Sequence, residues 1–115
     1  MRLLFTFLVI YNVVLIGSTE SILAAEEEQL ESGQKIFVAN CVACHAGGNN
    51  LIMPEKTLEK SVLEANSMNS ISAIVNQVTY GKSAMPAFGE RLSADDITDV
   101  ANYVLHQSAA GWPNP

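Results

Sequence analysis

Between residues 27 and 110 the apolar side chains recur three and four positions apart, which is the spacing of one helix face, and no stretch alternates like a strand. Helices are predicted at residues 27–40, 57–66 and 70–80, and a fourth begins after Ser93. Stretches containing glycine, proline or asparagine separate them. The pattern predicts a single all-α domain.

The last of these helices has the clearest boundaries. Ser93 is a favourable N-cap, and Asp95 and Asp96 follow it at the positive end of the helix dipole. Gly111 and Pro113 do not continue the helix. Its apolar stripe comprises Ile97, Val100, Ala101, Val104 and Leu105. We expect this stripe to face the core.

The first 25 residues have the pattern of a secretory signal peptide. Arg2 supplies a positive start, residues 3–16 are almost entirely apolar, and Ala24-Ala25 precedes an acidic cluster. This apolar run is shorter than the roughly 20 residues that a membrane-spanning helix needs. We therefore expect residues 1–25 to be cleaved and residues 26–115 to form the exported domain. An uncleaved N-terminal anchor is the alternative.

Size and charge exclude several functional classes. The chain has 115 residues, a formal net charge of −6 and only 7% aromatic residues. These values exclude a multidomain enzyme, and they exclude a nucleic-acid binder that works through a basic patch. So small a core would gain stability from a covalent staple or from a large buried ligand.

Both cysteines of the chain lie in one motif, Cys41-Val42-Ala43-Cys44-His45. C-x-x-C-H is the attachment signal for c-type haem. Two thiols three positions apart on a helical turn can meet the two vinyl groups at one edge of the macrocycle, and the adjacent histidine then lies under the iron. The motif therefore predicts one covalent haem c, with thioethers at Cys41 and Cys44 and with His45 as an iron ligand.

Other interpretations of the motif agree less well with the sequence. A zinc site would need a second pair of ligands, and only His106 is left. A thioredoxin-like centre needs a βαβ unit, which the helical pattern does not provide. A disulfide between Cys41 and Cys44 would staple an exported helical interaction module, but it leaves His45 unexplained. This module is the alternative from another functional class.

The second axial ligand of an electron-transfer haem is commonly a methionine. Met53, Met68 and Met85 follow the motif, although core packing is the usual role of a methionine. Met85 lies 40 positions after His45, so the chain has room to reach the opposite face of the ring, whereas Met53 lies only eight positions after it. The spacing favours Met85 and leaves Met53 open.

Two further stretches match one known group of proteins. They are Gly47-Gly48-Asn49-Asn50 and Ala84-Met85-Pro86-Ala87-Phe88. Through them the chain resembles class I cytochromes c, and within that class the cytochrome c6 (cytochrome c553) family of cyanobacteria and algal plastids. The resemblance implies a small fold whose helices wrap around one covalent haem. It also implies that the first helix crosses the last one where Gly33 and Phe37 meet Tyr103.

The resemblance assigns the haem-binding residues. Cys41 and Cys44 match the thioether positions, His45 matches the proximal ligand, and Met85 matches the distal ligand. In such proteins a backbone carbonyl accepts the other N–H of the proximal histidine. We expect that carbonyl in the stretch around Pro54.

Three further positions match residues around the haem of this family. Gln77 matches a glutamine that tunes the haem environment, although a solvated helix face would also explain it. Lys56 matches a residue near the haem propionates, and Arg91 matches a basic residue implicated in docking to photosystem I. An exposed charged residue is the ordinary alternative for both.

The resemblance implies a one-electron carrier rather than an enzyme. Cytochrome f of the cytochrome bf complex would reduce it and photosystem I would oxidise it, in the thylakoid lumen. We expect a monomer that binds no nucleic acid and is not embedded in the membrane after processing. Its acidic charge favours partners with basic or mixed patches. A periplasmic class I cytochrome that donates to a terminal oxidase is the close alternative, because one small carrier can serve both partners.

Overall fold

The computed structural model describes the backbone of residues 2–114 and the side chains of residues 19–114. Over this range the chain forms five α-helices and one 3-10 turn, without a strand. The helices are α1 (Arg2–Asn40), α2 (Val42–His45), α3 (Lys60–Ala65), α4 (Ile71–Tyr80) and α5 (Ala94–Ala110), and the 3-10 turn is Ala46–Gly48. The all-α prediction is therefore confirmed.

Capping residues explain why α4 and α5 lie where the sequence predicts them. Ser70 accepts a hydrogen bond from the backbone N–H of Ala73 at the start of α4. Ser93 and Asp96 form a reciprocal capping box at the start of α5. Each of these side chains satisfies a backbone donor that the first turn of a helix leaves unpaired.

The helix predicted at residues 57–66 begins later than expected, at Lys60. Glu59 is extended, and before it the backbone N–H of Leu58 donates to the carbonyl of Gly48 at 2.7 Å instead of starting the helix. Thr57 is therefore not the N-cap, and its hydroxyl instead accepts from the N–H of Glu59 at 3.4 Å. A contact between two loops thus overrides the local helical preference.

Helix α1 is longer than the predicted helix at residues 27–40, because it begins at Arg2. The side chains of residues 1–18, which make up most of the expected signal peptide, lie outside the described part of the chain. Residues 19–28 are exposed and add nothing to the buried core. Among the residues that the structure describes, no helix is long and apolar enough to cross a membrane.

The core is centred on α5, which packs against both α1 and α4. Val100 and Ala101 are the most deeply buried residues, at 1% and 0% exposure. The cluster comprises Phe37, Ile74, Val78, Phe88, Ile97, Val100, Ala101, Tyr103 and Val104. The stripe predicted on the last helix therefore does face the core, although Leu105 lies at its edge and is only half-buried.

Helices α1 and α5 cross in direct backbone contact at Gly33. A Cβ at this position would overlap the carbonyl oxygen of Asp99 and would lie 2.7 Å from the Cβ of Tyr103. Beside the crossing, the hydroxyl of Ser32 donates to the Asp99 carboxylate at 2.9 Å. The rings of Phe37 and Tyr103 pack with centroids 5.4 Å apart. The predicted crossing is confirmed.

Helix α5 ends in a turn that directs the chain back over the core. Gly111 adopts the left-handed conformation, and its N–H and that of Trp112 donate to the carbonyls of Ser108 and Gln107. The Trp112 ring then lies 5.5 Å from the ring of Phe37 and 6.4 Å from that of Tyr103, centroid to centroid. The C-terminus is thereby joined to α1.

The crossing generates a prediction. Gly33→Ala should lower the free energy of unfolding by about 1–3 kcal/mol, because the added methyl group forces the two helices apart. Gly111→Ala is the control, since a Cβ there meets nothing within 4 Å. Its cost of roughly 1–2 kcal/mol should come from the left-handed backbone alone, with no change in the packing of α1 on α5. Chemical denaturation measures the free energy of unfolding of both variants. A Gly33→Ala protein as stable as the wild type would contradict the steric role of Gly33.

Candidate haem site

The cysteine–histidine motif folds as a single helical turn at the end of α1. The N–H of Cys41 donates to the carbonyl of Phe37 at 2.8 Å, which continues the hydrogen-bonding pattern of α1. The N–H groups of Cys44 and His45 then both donate to the carbonyl of Cys41, at 3.2 and 2.9 Å. Both thiols are free. The structure thus brings the two cysteines and the histidine together on one turn.

The imidazole of His45 is oriented by the backbone. Its Nδ1 lies 2.9 Å from the carbonyl oxygen of Asn49. A carbonyl can only accept a hydrogen bond, so Nδ1 carries a proton, and in the neutral ring the lone pair then lies on Nε2. This is the tautomer that a metal-binding histidine needs when it coordinates through Nε2.

The carbonyl that holds His45 is not in the stretch around Pro54, where the sequence analysis expected it. Gly47 and Gly48 adopt φ values of +64° and +78°, and these left-handed conformations reverse the chain directly after His45. The reversal brings Asn49 back to the imidazole within four residues. Pro54 lies further along the same loop and is exposed.

The loop that follows the motif is held by Asn50. Its side-chain oxygen accepts from the N–H groups of Ile52 and Met53 at 3.2 and 2.9 Å, and its amide donates to the carbonyl of Lys56 at 2.9 Å. Leu51 is 73% exposed and Ile52 is 57% exposed. Two large apolar side chains on this loop are therefore exposed and do not contribute to the protein core.

Met85 is presented by a tight turn after α4. Two backbone hydrogen bonds, at 3.1 and 2.9 Å, close this turn between Lys82 and Met85. The side-chain amide of Gln77, on α4, donates to the Met85 sulfur at 3.8 Å. The Met85 side chain is half-buried against the core cluster, which Cys41 also contacts. Gln77 and Met85 therefore form one pair, on the same core as the motif.

The other two methionines lie in different surroundings. Met53 is exposed, on the loop that Asn50 holds. Met68 is half-buried and packs against the core cluster, and its backbone N–H donates to the carbonyl of Leu63 at 2.7 Å. Met85 differs from both in that its sulfur accepts a hydrogen bond from the side chain of Gln77. This arrangement favours Met85 as an iron ligand.

The two basic candidates lie at the surface on separate loops. Lys56 is exposed, and the backbone of this residue closes a turn with Met53 through a hydrogen bond of 2.8 Å. Arg91 is exposed as well, with its guanidinium carbon 4.9 Å from the ring centroid of Phe88.

The donor set fits a covalently attached haem. Two free thiols on one turn are suited to thioether formation, while a neutral imidazole and a thioether are common axial donors to haem iron. His45 has its coordinating nitrogen available. The apolar side chains of Leu51 and Ile52 are suited to contact a macrocycle. The four residues that would hold the group are Cys41, Cys44, His45 and Met85.

Sequence reasoning missed two features of this site. The backbone carbonyl of Asn49 cannot be recognised from the residue type. Only Gly47 and Gly48 before it could have indicated that the chain reverses there. The indole of Trp112 donates to the carbonyl of Leu58 at 2.8 Å, which connects the C-terminus to the loop after the motif. The available signal for this contact was a tryptophan directly after Gly111, the glycine that ends α5.

Burial raises the pKa of the Cys41 thiol from 9.0 to about 11. Because the folded chain favours the protonated thiol, its contribution to stability is present below pH 9 and is lost as the pH rises towards 11. In the chain before haem attachment, Cys41 should therefore react slowly with iodoacetamide until the pH approaches 11. The measurement is alkylation followed by mass spectrometry, with the urea-denatured chain as the control. Equal rates in the two states at pH 9 would contradict the prediction.

Comparison with protein families and curated relatives gives consistent matches. A family model described as "Cytochrome C oxidase, cbb3-type, subunit III" matches residues 28–104. Cytochrome c6 of Bumilleriopsis filiformis is 71% identical over 83 residues, which are 72% of this chain and 96% of that protein. Cytochrome c6 of Gracilaria tenuistipitata var. liui is 54% identical over 112 residues, covering 97% of this chain and 100% of the relative.

A solved structure agrees with these relatives. Cytochrome c6 from the diatom Phaeodactylum tricornutum superposes with a TM-score of 0.70 at 55% identity, covering 72% of this chain and 98% of that structure. The likeness therefore extends over nearly the full length of each relative, and it includes the turn on which the two cysteines and the histidine meet. On these grounds the chain belongs to the cytochrome c6 family of c-type cytochromes, which carry electrons.

Proposed function

We propose that this protein carries single electrons from cytochrome f of the cytochrome bf complex to photosystem I, through one haem c attached at Cys41 and Cys44. The observation that carries the proposal is the turn at residues 41–45, where two free thiols are followed directly by a histidine whose Nδ1–H donates to a carbonyl. When bound, the haem supplies one-electron chemistry, because its iron cycles between Fe(II) and Fe(III). The chain itself changes no bond of a substrate, so the protein is a carrier and not an enzyme.

The side chains around the haem have distinct roles in this proposal. His45 and Met85 would ligate the haem iron, and the Asn49 carbonyl keeps a proton of His45 on Nδ1. The Gln77 amide places the positive end of its dipole at the Met85 sulfur, which favours the reduced state of the iron. Lys56 interacts with the haem propionates by charge.

Partners would dock on the surface around Met85. Ala84, Pro86 and Ala87 flank Met85 and are exposed, so they offer a small apolar patch. Interfaces of redox partners are small and weak, and long-range charge governs how fast they form. With a net charge of −6, the protein is attracted to basic or mixed surfaces, and Arg91 adds a local positive contact.

We place the working protein in the thylakoid lumen after removal of residues 1–25. The relative from Bumilleriopsis filiformis aligns over 83 residues and the relative from Gracilaria tenuistipitata over 112. The difference of 29 residues is similar to the length of this 25-residue leader. Residues 19–28 are exposed, so cleavage there removes no residue of the core. The protein is then a monomer without a membrane anchor.

A terminal oxidase is the second candidate for the electron acceptor. The family model that matches residues 28–104 is described as a subunit of a cbb3-type cytochrome c oxidase, which supports a respiratory partner. The family model does not support the other alternative, a disulfide-stapled interaction module. Both thiols are free, and the chain belongs to a family of electron carriers.

The ligand assignment predicts a spectroscopic outcome. The purified exported protein should give a pyridine haemochrome with a thioether-type α band. Met85→Ala should abolish the weak sulfur-to-iron absorption band and lower the reduction potential. Gln77→Leu is the matched variant, since it should keep the band and lower the potential only. A colourless protein, or a Met85→Ala protein with an unchanged band, would contradict the assignment.

The partner assignment is tested by flash kinetics. Photosystem I should oxidise the protein faster than a cytochrome c oxidase does, at a rate that changes with ionic strength. Arg91→Gln should slow oxidation by about three- to tenfold at low salt. Lys35→Gln removes the same charge from α1, where Lys35 pairs with Glu31 at 3.3 Å, and should change the rate little. A rate independent of salt would contradict the role of charge, and a faster reaction with the oxidase would refute the assignment to photosystem I.

A further inference from the structure

Trp112 adopts a conformation that its neighbours must maintain. It follows the glycine that ends α5 and has a φ of +56°, in the left-handed region that non-glycine residues rarely enter. Such a conformation persists when the surrounding contacts hold it in place. One of them is the hydrogen bond from the Trp112 N–H to the carbonyl of Gln107, at 2.8 Å. Others are the packing of the indole against Phe37 and Tyr103 and its contacts with the loop after the haem motif.

The indole ring lies directly on Gly48. A Cβ at Gly48 would lie 2.5 Å from three carbons of the Trp112 ring, so no larger residue leaves room for the indole. The indole N–H donates to the carbonyl of Leu58 at 2.8 Å. The N–H of Leu58 donates in turn to the carbonyl of Gly48 at 2.7 Å. Trp112, Gly48 and Leu58 therefore form a closed set of contacts.

This set of contacts reaches the histidine through a single peptide unit. Gly48 is buried, whereas Gly47 and Asn49 on either side of it are exposed. The peptide after Gly48 leads to Asn49, whose carbonyl accepts the Nδ1–H of His45 at 2.9 Å. The indole that covers Gly48 thus restrains the segment that orients the imidazole.

We propose that Trp112 is a positioning residue for His45 and acts through Gly48 and the Asn49 carbonyl. A carbonyl held firmly on Nδ1–H makes the imidazole a stronger donor through Nε2. A stronger donor favours Fe(III), so loss of Trp112 raises the reduction potential. The inference rests on the proposed function, in which His45 binds the haem iron.

The test compares Trp112→Phe and Trp112→Leu with the wild type, all as haem-loaded proteins. Phenylalanine keeps an aromatic ring over Gly48 but lacks the indole donor, while leucine lacks both. Ser32→Ala is the control, because it removes the hydrogen bond to Asp99 at the helix crossing and leaves the loop untouched. The measurements are the solvent exchange of the His45 Nδ1 proton, by NMR of the reduced protein, and the reduction potential.

We expect proton exchange at His45 to accelerate by about tenfold in Trp112→Leu, which corresponds to the loss of roughly one ordinary hydrogen bond. The potential should shift upward in the same variant, with smaller changes in Trp112→Phe. Ser32→Ala should lower the thermal midpoint without changing either quantity.

The inference is overturned if both tryptophan variants lose stability while proton exchange at His45 and the potential match the wild type. Trp112 would then be a packing residue only. Should Trp112→Leu fail to fold, the exchange and the potential of Trp112→Phe decide the question. A wild-type protein that takes up no haem would refute the proposed function instead, so the two failures are distinguishable.

Discussion

The close crossing of α1 and α5 is the constraint on which the rest of the molecule depends. Because Gly33 has no side chain, the backbones of the two helices touch, and Phe37 packs on Tyr103 one turn further on. The C-terminal end of α1 leads directly into Cys41. The crossing therefore determines where the cysteine–histidine turn begins and where the last helix delivers Trp112.

Beyond the crossing, short backbone turns do most of the positioning around the site. The left-handed Gly47 and Gly48 return the chain to His45, and a turn closed by two hydrogen bonds presents Met85. Regular secondary structure is sparse between α2 and α4, and much of the apolar surface there is exposed. Such a fold gains stability from a large apolar cofactor that packs against these exposed side chains.

Local signals account for the parts of the fold that the sequence predicted well. The ends of α4 and α5 follow from serine N-caps and helix-ending glycines, which act within one turn. The start of α3 was misplaced because the bond from Leu58 to Gly48 joins two loops. The partner of His45 was misplaced for a related reason, since a backbone acceptor can belong to any residue type. Long-range backbone contacts leave little trace in a single sequence.

The placement of the indole also has an optical consequence. Trp112 is the only tryptophan of the chain, so ultraviolet emission excited in the indole band has one source. That source lies at the junction of the C-terminal turn, Gly48 and the carbonyl of Leu58. Changes in the emission of Trp112 therefore report, without a label, on the place where the C-terminal turn packs against the loop beside the histidine.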